Sequence, residues 1–207
     1  MNQKTTLVLA THNRGKVREI QEILEKCPIT LQDLDAFPPL PEVEEDGTTF
    51  EENAYKKASF VARTLGIPAL ADDSGILVKA LGGAPGVHSA RYAGLNANAE
   101  QRYTKLLREL EGHNDREAAF ECVIVIAAPN GRSLTYRGRC EGVITTRPIG
   151  TGGFGYDPVF YYPPFKKTFG ELTAEEKDRV SHRGRALAQL RRDFDRLVAW
   201  LINPIGD

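Results

Sequence analysis

Short apolar segments of strand length alternate with amphipathic helical segments along this chain, and this alternation constrains the fold most strongly. Residues 5–10 have the apolar character of a buried strand, and apolar residues then recur at helical spacing over residues 16–26. Farther on, the turn Pro129-Asn130-Gly131 separates two extended segments, residues 118–128 and 133–146, which predicts a long β-hairpin. Interleaved helices and strands with an internal hairpin predict an α/β fold, in which helices cover a sheet of mixed direction.

Helix-start signals support this division into elements. Two pairs of residues have the form of a capping box, in which Thr is followed three residues later by Glu: Thr49 with Glu52, and Thr173 with Glu176. Asn98 is a candidate N-cap for a helix over residues 100–110. A final helix is predicted from about Arg183, with its apolar residues on one face.

The composition excludes several classes of protein. The chain has 207 residues, with 27 Lys and Arg against 28 Asp and Glu, a net charge of −1 and 41% hydrophobic residues. These values are typical of a folded domain and argue against a nucleic-acid coat protein. The longest apolar stretch, residues 123–128, is far shorter than a membrane span, and the apolar run at residues 7–10 is too short for a secretory signal. We therefore expect a cytoplasmic protein with no membrane partner and no stable nucleic-acid partner.

A polar segment directly follows the first predicted strand and precedes the first predicted helix. It reads Thr11-His12-Asn13-Arg14-Gly15-Lys16. Backbone N–H groups at a helix N-terminus, together with a nearby Lys, suit a phosphate group. The segment lacks the glycine spacing of a Walker A loop. Taken alone, it fits either a phosphate site or an ordinary strand-to-helix turn with a solvated Lys.

Carboxylates occur in two clusters that would suit a divalent cation. Asp72-Asp73-Ser74-Gly75 follows a predicted strand over residues 68–71, so two adjacent carboxylates are expected at a strand end, before extended chain resumes at residues 76–78. Carboxylate oxygens at such a place fit Mg²⁺, and one of them could take a proton from a water molecule. The second cluster, Glu44-Glu45-Asp46, becomes relevant if it folds over the first. An Asp-rich turn and a solvated acidic loop are the alternatives.

A glycine-rich segment and a basic segment complete the candidate residues. Residues 150–158 contain four glycines, which let backbone approach a ligand closely, and Phe154 and Tyr156 offer flat faces on which a base could stack. Donors that could contact a ring carbonyl or a phosphate follow: Lys177, His182 and Arg183. A hairpin exit and an ordinary helix start would use the same residues without a ligand.

Six segments of this chain occur together in a recognisable order. They are residues 9–16, 44–54, 71–75, 82–92, 150–158 and 171–184. In this combination the chain resembles the inosine triphosphate pyrophosphatase family, also called XTP/dITP diphosphatases. The segments extend over nearly the whole chain, and six of them in order are highly specific. His12 departs from the pattern, which has a small residue such as Gly there, so its backbone is the part expected to contact substrate.

The resemblance implies an activity, a cofactor and an assembly. Members of this family hydrolyse the deaminated purine nucleotides ITP, dITP and XTP to the monophosphate and pyrophosphate, which removes them from the nucleotide pool. They depend on Mg²⁺ and form homodimers. Their fold is an elongated α/β structure with a mixed central sheet, a long β-hairpin and a central substrate cleft. For this chain the resemblance implies one such domain over residues 1–207, as one body or as two lobes around the cleft.

The resemblance also implies roles for individual residues. Asp73 corresponds to the catalytic carboxylate, which binds Mg²⁺ and accepts a proton. Glu44 and Glu45 match the acidic pair on the metal side, with Glu44 favoured as the ligand, and Lys57 would add positive charge beside the phosphates. The residues that would contact the substrate are Thr11, His12, Asn13, Arg14, Gly15, Lys16, Ser74, Phe154, Gly155, Tyr156, Asp157, Lys177, His182 and Arg183.

Two other functions would use the same features. A pyrophosphatase that acts on pyrimidine or methylated nucleotides would release the same kinds of product, and only a panel of substrates distinguishes it. A nucleotide-binding or RNA-binding module without catalysis could use the glycine-rich segment, the aromatic rings and the basic residues. The adjacent carboxylates of Asp72 and Asp73 disfavour the module, because they repel phosphate unless a cation lies between them.

Overall fold

A seven-stranded mixed sheet is the main feature of the fold, seen in a computed structural model that describes residues 5–202. The strands are β1 (Thr5–Leu9), β2 (Ile29–Asp33), β3 (Ala69–Val78), β4 (Glu117–Ala127), β5 (Ser133–Ile144), β6 (Phe160–Tyr162) and β7 (Lys167–Thr168). Their order in the sheet is β2-β1-β3-β4-β5-β6-β7. β1 is parallel to β2 and β3, whereas β6 is antiparallel to β5 and β7. The predicted α/β class with a mixed sheet and a long hairpin, β4–β5, is confirmed.

Helices flank the sheet, and several of them begin where the sequence predicts. They are α1 (Arg14–Leu24), α2 (Phe50–Leu65), α3 (Ala99–Glu109), α4 (Ala174–Val180), α5 (His182–Arg192) and α6 (Phe194–Ile202). Thr49, Asn98 and Thr173 cap α2, α3 and α4 through their side-chain oxygens, as predicted. Each cap satisfies an N–H that the first helical turn leaves unpaired. Among residues 5–202, no helix has the length and apolar character needed to span a membrane.

The C-terminal helix predicted from Arg183 is two helices instead of one. Asp193 lies between α5 and α6, and its N–H donates to the Gln189 carbonyl at 3.0 Å. The Asp193 carbonyl in turn accepts from the N–H of Leu197 at 2.9 Å, which is the first hydrogen bond of α6. Asp is a favoured residue at such an N-cap position. Asp193 therefore interrupts the predicted helix within its apolar stripe.

The acidic pair lies inside a strand, so the predicted strand end after residue 71 is wrong. β3 continues without interruption through Asp72, Asp73 and the following Ser-Gly to Val78. Its pairing with β1 is limited to residues 69 and 70, because β1 ends at Leu9. Asp72 and Asp73 therefore lie just beyond the carboxyl end of a parallel neighbour. This is the edge at which open α/β sheets place their ligands.

The chain divides into two compact units, each with its own core. Among the described residues, the first unit contains residues 5–73, Val123–Arg137 and residues 184–202, and its core includes the buried residues Leu7, Val8 and Leu9 of β1. The second unit contains Ser74–Cys122 and Gly138–Arg183. An aromatic cluster lies in its core: Phe160 has ring-centroid distances of 4.6 Å to Phe120 and 4.8 Å to Phe169. A single domain over residues 1–207 stays a prediction.

Candidate active site

The polar segment of residues 11–16 forms the turn between β1 and α1. The Asn13 side-chain Oδ1 accepts hydrogen bonds from the N–H groups of Gly15 at 3.0 Å and Lys16 at 3.2 Å, and thereby caps α1. The Asn13 N–H donates to Thr11 Oγ1 at 3.2 Å. Because Asn13 is the cap, α1 begins two residues earlier than predicted. The positive end of the helix dipole lies at this turn, where it suits an anion.

Lys16 connects this turn to the acidic residues of β3. Its Nζ lies 3.2 Å from Asp72 Oδ1 and 3.5 Å from the Asp72 carbonyl oxygen. The Asp72 side chain is fully buried, so this ion pair is shielded from water on the acidic side. His12 and Arg14 have exposed side chains. The structure therefore brings Lys16 to the acidic centre, which is the buried pair Asp72 and Asp73. It leaves His12 and Arg14 at the surface.

The Lys57 ammonium contacts three acidic residues of the first unit. Its Nζ lies 2.7 Å from Glu45 Oε1 and 3.5 Å from Asp73 Oδ1, and it donates to the Asp72 carbonyl oxygen at 2.9 Å. The Lys57 and Asp73 side chains are 14% and 8% exposed. Glu44 is exposed. The structure therefore brings Glu45, and not Glu44, to the ammonium that faces Asp73.

Burial and charge oppose each other at Asp73 and Lys57. Burial raises the pKa of Asp73 and outweighs the lowering by Lys57 and Lys16, so this pKa lies above the ordinary value of 3.8. Burial lowers the pKa of Lys57, but the charges of Asp73, Glu45 and Asp72 outweigh it, and this pKa lies above 10.5. Lys57 therefore stays cationic at neutral pH. A carboxylate with a raised pKa is a stronger proton acceptor than an exposed one.

Asn53 belongs to the same centre, although the sequence analysis assigns it no role. Its Nδ2 donates to Asp73 Oδ2 at 3.1 Å, and its Oδ1 accepts from the N–H of Gly47 at 2.8 Å. The side chain is fully buried. One signal could have found it, because an Asn inside a helix is unfavourable unless its side chain has a partner. Asn53 directly precedes the buried residue Ala54 of α2.

The oxygen donors of this centre fit Mg²⁺. Within residues 5–202, no group of three or more His, Cys, Asp or Glu side chains has metal-binding geometry. Mg²⁺, however, is usually held by one or two carboxylates together with waters and substrate phosphates. The carboxylates of Asp73 and Glu45 are hard oxygen donors of this kind, and both approach Lys57 Nζ. The donor set therefore suits Mg²⁺ held jointly with a phosphate group.

In the second unit, one buried carboxylate fixes the backbone of the glycine-rich segment. Asp157 Oδ2 accepts from the N–H of Phe154 at 2.7 Å and lies 2.6 Å from Lys177 Nζ. The Lys177 and Asp157 side chains are 7% and 3% exposed. Gly153 has φ +71°, and a Cβ there would lie 2.0 Å from Asp157 Oδ2. Only glycine fits this close approach, which fixes the backbone that carries Phe154.

Two cationic side chains lie against the ring of Phe154. Lys177 Nζ is 4.4 Å and Arg183 Cζ is 5.6 Å from the ring centroid, within the range of cation–π attraction. Arg183 is 1% exposed, and its Nη2 donates to Ser74 Oγ at 3.0 Å. The structure therefore brings together five of the predicted substrate residues: Ser74, Phe154, Asp157, Lys177 and Arg183.

Tyr156 and His182 have their rings in the core of the second unit. Tyr156 is 4% exposed and its hydroxyl donates to the Ser89 carbonyl at 2.9 Å, so the prediction that its ring offers a stacking face is wrong. Burial raises the pKa of its hydroxyl. The His182 ring stacks on Phe120 with centroids 4.6 Å apart. Gly155 has φ +65° with open space where a Cβ would be, which leaves its backbone open to approach.

The comparisons with known proteins agree with the resemblance seen in the sequence. A dITP/XTP pyrophosphatase of Syntrophobacter fumaroxidans is 58% identical over 195 residues, which cover 94% of this chain and 84% of the relative. One from Geobacter sulfurreducens is 56% identical and covers 90% of this chain and 95% of the relative. The solved HAM1 protein of Coxiella burnetii superposes with a TM-score of 0.86 at 44% identity, over 93% of this chain and 99% of that chain. The sequence profile of the Ham1 family matches residues 7–193, and the chain belongs to the Ham1 family.

Proposed function

We propose that this chain hydrolyses the deaminated purine nucleotides dITP, XTP and ITP to the monophosphate and pyrophosphate. The observation that carries the proposal is a buried carboxylate, Asp73, that faces Lys57 and directly follows Asp72, the partner of Lys16 in the first turn of α1. Lysines and a helix N-terminus attract phosphates, whereas a carboxylate with a raised pKa can take a proton from water. Membership of the Ham1 family and relatives named dITP/XTP pyrophosphatases support the same reaction.

The lysines and carboxylates around Asp73 would act on the triphosphate. Lys16 and Lys57 would hold the phosphate oxygens, together with the N–H groups at the start of α1. Asp73 would orient the attacking water toward the α-phosphorus and accept its proton. Asp73 and Glu45 would hold Mg²⁺, which when bound neutralises charge on the phosphate oxygens and on the leaving pyrophosphate. The proposal favours Glu45 over Glu44 because Glu45 contacts Lys57.

The residues around Phe154 would contact the base. Phe154 is only partly buried, and the backbone around it is fixed by Asp157. The Arg183 and Lys177 side chains can donate hydrogen bonds but cannot accept them, so they would favour the C6 carbonyl of hypoxanthine or xanthine over the amino group of adenine. ATP would bring a donor against these donors and leave desolvated groups unpaired. A site built on such bonds discriminates by roughly 10⁴-fold.

Magnesium dependence, a homodimeric state and a cytoplasmic place of action belong to the same proposal. The carboxylate donors at Asp73 and Glu45 support the first. The family resemblance supports the second, which light scattering on the purified chain would test. Cys27, Cys122 and Cys140 form no disulfide with one another, which suits a reducing compartment. Fractionation of cells that produce the chain would test this location.

A substrate panel tests the proposed function. The purified chain is incubated separately with dITP, ITP, XTP, GTP, ATP and CTP, with Mg²⁺ or with a chelator, and the nucleotides are separated. We expect the monophosphates of the deaminated purines in the Mg²⁺ samples, with ATP almost untouched. Turnover of CTP in preference to dITP would show that the chain is a pyrophosphatase with a different substrate specificity. Nucleotide binding without turnover would support the binding module instead.

A further inference from the structure

A buried side chain of α2 contacts the candidate active site at two points, although no part of the proposed reaction uses it. Asn53 donates through Nδ2 to Asp73 Oδ2 and accepts through Oδ1 from the N–H of Gly47. Its exposure is 0%, so both ends of the carboxamide are used inside the protein. A buried amide in this arrangement links a strand residue to a loop residue.

The loop end of this link requires glycine. A Cβ on Gly47 would lie 2.5 Å from Asn53 Oδ1 and 2.9 Å from Glu52 Cβ, closer than real Cβ atoms approach. Gly47 is itself buried, so its N–H depends on a protein acceptor. The same loop carries Glu45, which pairs with Lys57. The Asn53–Gly47 contact therefore docks the acidic loop against α2.

The strand end of the link sets the orientation of the Asp73 carboxylate. Lys57 approaches Oδ1 at 3.5 Å, whereas Asn53 donates to Oδ2 at 3.1 Å. A carboxylate bound at both oxygens from different side chains cannot rotate freely about its χ2 bond. Because the amide is neutral, it fixes this orientation without adding a charge to a centre that already holds several.

We infer that Asn53 is a positioning residue, whose carboxamide fixes the Asp73 carboxylate and docks the Glu45 loop so that both can bind one divalent cation. The kinetic part of this inference rests on the proposed hydrolysis, whereas the metal-binding part rests only on the proposed Mg²⁺ site. Outer partners of metal-binding carboxylates typically change affinity or activity by 10- to 100-fold when removed. The carboxamide is such a partner for Asp73.

Two substitutions separate the two ends of the link, and a third is a matched control. Asn53→Ala removes both hydrogen bonds. Asn53→Asp retains an oxygen acceptor for the N–H of Gly47 but cannot donate to Asp73 as a carboxylate. Ser59→Ala also removes a buried polar group from α2, but the Ser59 hydroxyl has no hydrogen-bond partner within residues 5–202. We expect Ser59→Ala to behave like the unmodified chain.

The full chain and the three variants are compared by three measurements. These are thermal unfolding, a Mn²⁺ titration without nucleotide that is monitored by electron paramagnetic resonance, and steady-state kinetics with dITP. We expect Asn53→Ala to raise the Mn²⁺ Kd by about 10-fold and to lower kcat by about 10- to 100-fold. Asn53→Asp should lower kcat by about 10-fold, with a KM change below about threefold. Assays are run well below each melting temperature.

The outcomes distinguish this inference from the proposed function. A folded Asn53→Ala variant with unchanged Mn²⁺ Kd and unchanged kcat overturns the inference, even if its melting temperature falls. If Asn53→Ala does not fold, an unchanged kcat in Asn53→Asp overturns it. An unmodified chain that fails to hydrolyse dITP contradicts the proposed function alone, and a raised Mn²⁺ Kd in Asn53→Ala would then still support the positioning role.

Discussion

Removal of Lys177 should destabilise the second unit strongly, because Lys177 neutralises a buried carboxylate. Lys177 Nζ lies 2.6 Å from Asp157 Oδ2, and the side chains are 7% and 3% exposed. In Lys177→Met, an apolar chain of similar length fills the space, while the Asp157 charge loses its ammonium. Breaking a buried pair from one side costs about 3–5 kcal/mol. For a chain of this size, that lowers Tm by about 6–20 °C.

The assay is thermal unfolding of the unmodified chain, Lys177→Met, Asp157→Asn and the double variant. Asp157→Asn retains an oxygen acceptor for the N–H of Phe154 and removes the charge. The double variant should be more stable than the sum of the single effects predicts, by about 1–3 kcal/mol. Lys79→Met is the matched control, because Lys79 pairs with Glu117 at 2.7 Å while 64% exposed, and we expect little change. A Lys177→Met variant as stable as this control, or strictly additive effects, would refute the reasoning.

Three further predictions concern catalysis, acid stability and the glycine-rich segment. Asp73→Asn should retain the fold by thermal unfolding and lower kcat for dITP by about 10²- to 10⁴-fold; near-normal kcat would exclude its role as proton acceptor. The backbone N–H of Thr173 holds the pKa of Glu176 below its ordinary value of 4.5, so this stabilisation is present above that value and is lost as the pH falls through the lowered pKa. In urea titrations, Glu176→Gln should therefore lose less stability than the unmodified chain between about pH 5 and pH 3, and parallel losses would contradict this. Gly153→Ala should lower Tm and raise KM, because its Cβ would collide with Asp157 Oδ2, and an unchanged Tm would show that the loop adapts.

The sequence predicted the helix starts well because capping is a local interaction. Thr173 and Glu176 form the reciprocal pair in full, as their spacing indicates. At α2 the same spacing was only half informative: Thr49 accepts from the N–H of Glu52, but the Glu52 carboxylate accepts from Thr48 instead of returning to Thr49. A three-residue spacing determines which N–H a cap can reach. The hydrogen bonds of the long Glu52 side chain depend in addition on its neighbour Thr48.

The sequence predicts a strand end after residue 71 because adjacent carboxylates are typical of turns, but β3 continues through them. Asp72 and Asp73 are both buried in a continuous strand, since Lys16 and Lys57 approach them from two helices. Those lysines are 56 and 16 residues away from the acids they contact. Periodicity within a short window carries no information about such partners. The break at Asp193 shows the reverse case, in which one polar residue ended a helix that the apolar pattern continued.

The sequence predicts which residues belong to the candidate site better than it predicts the contacts between them. Motif order indicated Asp73, Lys16, Lys177 and Arg183, but the roles assigned to them stay predictions. The sequence could not show that the ring of Tyr156 lies in the core, because an aromatic residue beside glycines fits a stacking face equally well. These distinctions depend on packing between elements that are distant in sequence.

Isotope tracing shows which phosphorus atom of the triphosphate the water attacks. The chain is incubated with dITP and Mg²⁺ in water enriched in ¹⁸O, and the masses of the products are measured by mass spectrometry. We expect one ¹⁸O atom in dIMP and none in pyrophosphate, because the water oriented by Asp73 attacks the α-phosphorus. Label in pyrophosphate would place the attack at the β-phosphorus, and labelled orthophosphate with dIDP would place it at the γ-phosphorus. Either result would exclude attack at the α-phosphorus and with it the role proposed for Asp73.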